Sequence, residues 1–353
     1  MKNNADKNFI LGIDTSNYKT SVAVVGLDGE IISDFRELLS VKKGERGLRQ
    51  SDALFQHIDR LPELVEKACS RALNGENGGK ILAAAVSTRP RPQEGSYMPV
   101  FKAGIAAAKS IGAALGIPVY EFSHQEGHIE AALACAQKAA CDCGKRGLEA
   151  KAFGDEPFIA YHLSGGTCEI LKVRRVKEGI GGYDIEIIGG SRDISFGQVI
   201  DRVGVQLGMA FPAGAEMDKL ALAADCETSL LKKIAVLDLY INLSGIDTQC
   251  RREAEKIGED EHMRAMLARE LFSKIAEVLV KLTKNAAETY GIRKFLFAGG
   301  VASSEYIENY INNTMKIKNN GNLEIIFAEP NMAQDNAVGI ALLGAKAYGD
   351  ETR

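Results

Sequence analysis

The sequence predicts a duplicated α/β chain, and three observations carry that prediction. An apolar strand over residues 9–14, a polar turn at 15–19 and a second strand over 20–25 open the chain. The pattern recurs at 158–173, where two strands flank the tight turn Ser164-Gly165-Gly166-Thr167. Each copy is followed by a further strand, near Ile31 and Ile32 in the first and over 183–188 in the second, and each is trailed by helical patterns. Two such halves imply a cleft between them, and clefts are where ligands tend to bind.

Within the first half, Leu54, Ile58, Leu61, Leu64, Val65 and Ala68 recur at helical spacing, so residues 51–73 predict an amphipathic helix, with His57 on its polar flank. A buried strand follows at 81–86, then the loop Arg89-Pro90-Arg91-Pro92, a helix at 100–115 dense in alanine and glycine, and a strand at 117–122. A polar, cysteine-bearing stretch over 139–156 marks the interdomain connection. Lobes are therefore expected at 1–140 and 155–353, with the last helix free to pack back on the first.

In the second half, helical patterns run from Ser195 to Leu207 and again over 216–224, separated by Gly208 and Phe211-Pro212-Ala213-Gly214. A long helix over 261–290 leads to a strand at 295–298, the turn Gly299-Gly300-Val301, a helix from Glu305, a strand at 323–327 and a last helix at 337–348.

With 46% hydrophobic and 25% charged residues in 353, the composition is that of an ordinary globular chain. A formal net charge of −4 argues against a protein devoted to coating nucleic acid. Seven cysteines, an odd number without a disulfide-like framework, fit a reduced compartment. Cys141-Asp142-Cys143 beside Cys135 lacks the second cysteine pair of a zinc finger. No signal core or membrane-length apolar run is present, so a cytoplasmic location is expected.

Chemistry concentrates in Ser123-His124-Gln125-Glu126-Gly127-His128. A helix starting near His124 puts the two histidines four residues apart on one face, where they could grip one ion or simply be solvated or capping side chains. The order differs from the zinc-protease H-E-x-x-H, because Gln125 follows the first histidine and Glu126 is displaced by one. That counts against peptide hydrolysis. Asp14 before a hydroxyl-rich turn is a plausible phosphate or metal-water site, or a polar hairpin tip. Gly165 and Gly166 permit close approach of backbone N–H groups to an anion, or merely shape a hairpin. Asp201 and Asp218 flank a glycine-bearing loop in a way that suits ribose hydroxyls, although Asp218 could instead only favour its own helix's positive end. Asp335 near the last helix is a cap or a further metal ligand. Walker and dinucleotide fingerprints are absent.

Taken in order, these motifs resemble the tRNA threonylcarbamoyladenosine synthase family, TsaD and its counterparts, once called glycoproteases. The resemblance rests on Gly12-Ile13-Asp14-Thr15-Ser16, the H-x-E-G-H stretch, Ser164-Gly165-Gly166, Asp201 with Pro212-Ala213-Gly214, Asp218-Lys219-Leu220-Ala221, Gly299-Gly300-Val301-Ala302 and Asp335-Asn336. It implies the actin-like, Hsp70-like ATPase fold. It also implies one divalent iron or zinc ion held by His124, His128 and Asp335, and an adenylate contacted by Leu163, Ser164, Gly165, Gly166, Thr167, Asp201, Gly214, Asp218 and Ser304. No catalytic residue is assigned.

The implied reaction moves a threonylcarbamoyl group from threonylcarbamoyl-AMP to N6 of the adenosine beside the anticodon, in tRNAs reading codons that begin with A. Implied partners are tRNA, a smaller TsaB-like paralogue and a TsaE-like ATPase. Several positions depart from the family pattern: Thr167 stands for a histidine, Gln198 for a glutamate, Ser304 for an asparagine and Asp247 for a lysine, while Arg89-Pro90-Arg91-Pro92 replaces Gly-Pro-Gly-Leu. These changes keep open a non-catalytic or regulatory paralogue that binds nucleotide and metal. An actin-fold small-molecule kinase or ATPase is a further alternative, and it would leave the histidine pair without a role.

Overall fold

The computed structural model describes residues 8–16, 18–40, 48–74, 79–142, 156–176, 182–224, 229–318, 323–329, 332 and 336–352. They divide into two compact units, one made of residues 1–135, 175–184 and 334–353, the other of 136–174 and 185–333.

The first unit is built on a five-stranded sheet in the order β3-β2-β1-β4-β5: β1 (Asn8–Asp14), β2 (Lys19–Gly26), β3 (Ile31–Leu38), β4 (Lys80–Arg89) and β5 (Val119–Ser123). Strands β1, β2 and β3 form an antiparallel meander, while β4 runs parallel to β1 and β5 parallel to β4. Every residue of β1 after Asn8 is buried, as expected of a central strand covered on both faces. On one face Phe9, Leu11, Ile13, Val22 and Val24 lie in one apolar cluster with Leu61, Leu64 and Ala68 of α1 (Gln50–Leu73) and with Ala103 and Ala108 of α2 (Phe101–Leu115).

Helix α9 (Val338–Glu351) is apolar and buried over most of its length, and it packs close to β1. A Cβ on Gly12 would stand 2.6 Å from the Ala337 carbonyl oxygen and 2.7 Å from the Ala341 Cβ. Where α9 meets α3 (His124–Asp142), Gly339 lies directly on the Gly127 carbonyl. Glycine is required at both places because no side chain fits.

Helix α1 departs from the sequence reading. Its buried stripe is Ala53, His57, Leu61, Leu64, Ala68 and Ala72, so His57 is fully buried and Ile58 is 55% exposed. The departure is confined to one turn, where the Thr20 hydroxyl on β2 meets the His57 Nδ1 at 2.9 Å. A hydrogen-bonded polar pair occupies the place that periodicity gave to an apolar side chain.

The second unit carries a seven-stranded sheet in the order β12-β11-β6-β7-β8-β10-β9. Its strands are β6 (Phe158–Leu163), β7 (Cys168–Arg175), β8 (Tyr183–Ser191), β9 (Val236–Leu237), β10 (Tyr240–Ile241), β11 (Lys294–Ala298) and β12 (Glu324–Phe327). The order β8-β7-β6-β11-β12 repeats β3-β2-β1-β4-β5: β6 pairs antiparallel with β7, β11 parallel with β6, and β12 parallel with β11. This is the duplication read from the sequence. Across the three parallel strands the Tyr161, Phe297 and Phe327 rings stack, with centroids 4.4 and 4.8 Å apart.

Helices α4 (Phe196–Gln206), α5 (Gly214–Ala223), α6 (Ser244–Ile257), α7 (Glu261–Tyr290) and α8 (Glu305–Lys318) complete this unit. The two-residue strands β9 and β10, and helix α6, were not expected from the sequence. The cysteine-bearing stretch begins inside α3, which runs to Asp142, and Cys143 lies outside the described residues.

Gly339→Ala forces a methyl group onto the Gly127 backbone and is expected to destabilise the first unit by about 3 kcal/mol or more. Gly349→Ala, in the same helix but facing open space, is expected to stabilise it by about 0.5–1 kcal/mol. Urea unfolding midpoints of the two variants should move in opposite directions.

Candidate functional site

Strand β5 delivers the chain into α3 through a capping box. The Ser123 hydroxyl accepts the Glu126 N–H at 3.2 Å, and the Glu126 carboxylate accepts the Ser123 N–H at 2.7 Å. Glu126 also accepts the Tyr183 N–H at 3.2 Å. The acid inside H-x-E-G-H is therefore engaged with backbone donors, and Ser123, not a histidine, caps the helix.

His124 and His128 are buried on one face of α3, with their Nε2 atoms 2.9 Å apart and their rings in a T-shaped arrangement. The His124 Nδ1 stands 3.2 Å from Asp14 Oδ2 at the end of β1. Asp14 also accepts hydrogen bonds from the hydroxyls of Ser16, at 2.8 Å, and Ser87. Ser87 was not singled out in the sequence; its only signal there is a hydroxyl residue at the end of a buried strand. Among the described residues no group of three histidine, cysteine or acidic side chains is placed to hold an ion. Asp335, the third ligand implied by the resemblance, lies outside the described residues.

A second buried carboxylate on α3, Glu130, is compensated by the Tyr183 phenol at 2.6 Å, by Lys346 and by Arg175 at 3.6 Å. Burial, and then Glu130 itself, hold the Tyr183 phenol well above its ordinary pKa, so it remains a donor.

In the second unit, the turn after Leu163 is closed by the Ser164 N–H on the Thr167 carbonyl at 2.8 Å and by the Thr167 N–H on the Ser164 hydroxyl at 3.0 Å. Gly165 and Gly166 face open space, so backbone there can be approached closely. The start of α4 lies against this turn: the Ser195 hydroxyl donates to the Gly165 carbonyl at 2.6 Å, and a Cβ on Gly197 would stand 2.6 Å from the Gly165 Cα. Ser195 and Gln198 form a full capping box. The Val301 N–H bonds the Leu163 carbonyl at 2.9 Å, and Gly299, at φ 103°, is pressed onto the same residue.

Both aspartates assigned to ribose hold helix starts. Asp201 accepts the Ala213 N–H at 2.8 Å and a further N–H from Gly214 at the start of α5. Asp218 accepts the Ser304 hydroxyl at 2.5 Å and the N–H groups of Glu305 and Tyr306 at 2.9 and 3.3 Å. Its partner is thus the positive end of α8 as well as its position in α5. Asp193, absent from the sequence reading, does the same for α6. It accepts N–H groups of Leu243 and Ser244 at 2.8 and 2.9 Å, and although burial opposes ionisation, these donors hold its carboxyl well below the ordinary range. Leu163 to Thr167, Gly214, Ser304 and the two aspartates all belong to this unit.

Burial pushes the Asp201 carboxyl above its ordinary pKa, against the Ala213 and Gly214 donors. The unfolded chain therefore releases this proton at lower pH than the folded one. The group's contribution to stability is full below the ordinary aspartate pKa, is lost as pH rises through the folded value, and is flat above it. Asp201→Asn is expected to remove that slope from urea midpoints measured across mildly acidic pH, while Asp201→Ala lowers stability by about 1 kcal/mol at neutral pH through loss of the cap.

The family model for tRNA N6-adenosine threonylcarbamoyltransferase, TsaD, matches residues 40–342. Relatives bearing that name include one from Neorickettsia sennetsu, 28% identical over 95% of this chain and 92% of the relative. Another, from Thermosipho africanus, is 26% identical over 96% and 94%. Among solved structures, full-length HypF in its phosphate- and nucleotide-bound form gives a TM-score of 0.56 at 14% identity, covering 98% of this chain and 55% of that one. The activator of the 2-hydroxyisocaproyl-CoA dehydratase from Clostridium difficile gives 0.51 at 11% identity, covering 98% and 97%. These structural likenesses show the actin-like ATPase fold. With that fold, and with a family model matched from residue 40 to residue 342, the chain belongs to the tRNA N6-adenosine threonylcarbamoyltransferase family.

Proposed function

We propose that this chain transfers a threonylcarbamoyl group from threonylcarbamoyl-AMP to N6 of the adenosine beside the anticodon in tRNAs that read codons beginning with A. The family match carries the transferase reading; the buried histidine pair is the observation that supports a metal centre within it. The amine nitrogen forms a bond to the carbamoyl carbon, the bond from that carbon to the phosphate oxygen breaks, AMP leaves and the amine loses a proton.

The donor set fits an iron or zinc ion. Imidazole nitrogens are donors that both ions take, and the His124 and His128 Nε2 atoms stand 2.9 Å apart on one face of α3. His124 and His128 would hold the ion, with Asp335 as the third ligand. Such an ion supplies Lewis acidity toward phosphate and carbonyl oxygens.

The adenylate belongs with the second unit. The open backbone at Gly165 and Gly166 offers N–H groups to phosphate, and the N-termini of α4, α5 and α8 present positive ends. Asp201 and Asp218 hold those helix starts in register and keep lone pairs for ribose hydroxyls. A smaller TsaB-like paralogue and a TsaE-like ATPase complete the proposed system. No helix among the described residues is long and apolar enough to cross a membrane.

The chain, expressed with its partners in cells depleted of their own synthase, is expected to restore the threonylcarbamoylated nucleoside in bulk tRNA. Soluble protein without recovery would abandon the transferase reading in favour of a non-catalytic paralogue. His128→Ala is expected to lower bound metal in the purified protein from about one equivalent to background by elemental analysis. Full retention would contradict the ligand assignment.

A further inference from the structure

We propose that Asp14 is a positioning residue that fixes the tautomer of His124 and so presents the bare Nε2 of that ring toward His128. This rests on the metal reading above and extends it inward by one shell of hydrogen bonds. Asp14 is 0% exposed at the last position of β1. Its Oδ2 stands 2.8 Å from the Ser16 hydroxyl and 3.2 Å from the His124 Nδ1, and its Oδ1 accepts the Ser87 hydroxyl.

An ionised carboxylate only accepts. With Ser16 and Ser87 donating to it from β1's own continuation and from β4, its orientation is set by two strands of one sheet. A neutral His124 facing it carries its proton on Nδ1, which puts the Nε2 lone pair on the other side of the ring. That side faces His128, with Nε2 atoms 2.9 Å apart and ring centroids 4.3 Å apart at 79°. A carboxylate behind a ligating imidazole raises its basicity and locks its rotation, and losing such a partner typically weakens metal binding about 10–100-fold.

Asparagine at this position keeps the shape and reverses the chemistry, because its amide N–H can donate to Nδ1 and drive the ring proton to Nε2. The protein has five histidines, so selective 15N labelling of their rings is tractable, with His124 assigned by the signal lost in His124→Gln. Long-range 1H–15N spectra of the metal-free chain are expected to show His124 protonated at Nδ1. A proton on Nε2 instead overturns the inference, and this measurement needs no variant at Asp14 to fold.

Asp14→Asn is expected to move the proton to Nε2 and to raise the Kd for Zn2+ about 10–100-fold. Ser87→Ala, which frees one side of the carboxylate, should raise it less. Unchanged Zn2+ affinity in both variants overturns the role of Asp14 alone. Undiminished Zn2+ binding by His124→Ala and His128→Ala overturns the metal reading itself, and the role with it.

Discussion

The first unit depends on a close approach of backbones. Helix α9 is buried from Val338 to Ala345, and it comes near β1 and α3 only because Gly12, Gly127 and Gly339 carry no side chain at the crossings. Sub-ångström intrusions at such crossings cannot be absorbed by a packed interior. Asp14 ends the strand that contains Gly12, and His124 begins the helix that contains Gly127. The 3.2 Å between the carboxylate and the ring is therefore set by glycine contacts elsewhere on the same two elements. Hydrogen-bond geometry at the site and packing behind it are one constraint, because a helix that shifts at Gly127 carries His124 and His128 with it.

The second unit solves a different problem, the unsatisfied N–H groups at four helix starts. Ser195, Asp201, Asp193 and Asp218 supply acceptors for α4, α5, α6 and α8 respectively. Three of the four are carboxylates borne by other segments than the helix they cap, so each cap also ties two parts of the unit together. Negative charge is placed where the helix ends are positive. Such caps limit where a bound anion can sit. The turn at Gly165 and Gly166 faces open space, whereas the carboxylates of Asp201 and Asp218 are already engaged with backbone N–H groups at helix starts.

Much of this was legible in the sequence because periodicity and turn chemistry reported it directly. The β6 to β7 turn, the strand before the histidine pair and the helix start at His124 all lie where the residues indicated. Helix α1 shows where hydropathy and burial part. Leu54 packs against the core as its hydropathy indicates, but Ile58 is 55% exposed and the buried stripe passes through His57, because a hydroxyl on β2 supplies the imidazole with a partner. Helix α6 was missed for a related reason: its buried face includes Asp247 and Cys250, which do not read as an apolar stripe. Asp247 tolerates burial beside Arg202 at 3.6 Å and Arg251 at 3.5 Å. Long-range pairs of this kind, Asp14 with Ser87 and Asp218 with Ser304 among them, have no signature in local sequence.

The departures from the family pattern gain a physical meaning from these caps. Gln198 replaces a glutamate yet makes both bonds of the capping box with Ser195, since an amide oxygen accepts the same N–H. Ser304 replaces an asparagine and still caps α8, its hydroxyl accepting the Ile307 N–H at 3.1 Å, a role for which the two residues rank alike. Thr167 replaces a histidine at a position where the turn uses the backbone N–H. Each substitution preserves the hydrogen bond that the fold requires. What changes is the side-chain chemistry itself: an amide at Gln198, a hydroxyl at Thr167, and at Asp247 a buried anion beside Arg202 and Arg251. Divergence at Gln198, Thr167 and Ser304 therefore leaves the frame of the second unit intact, because each cap or turn is closed by an atom that the side chain present, or the backbone, supplies.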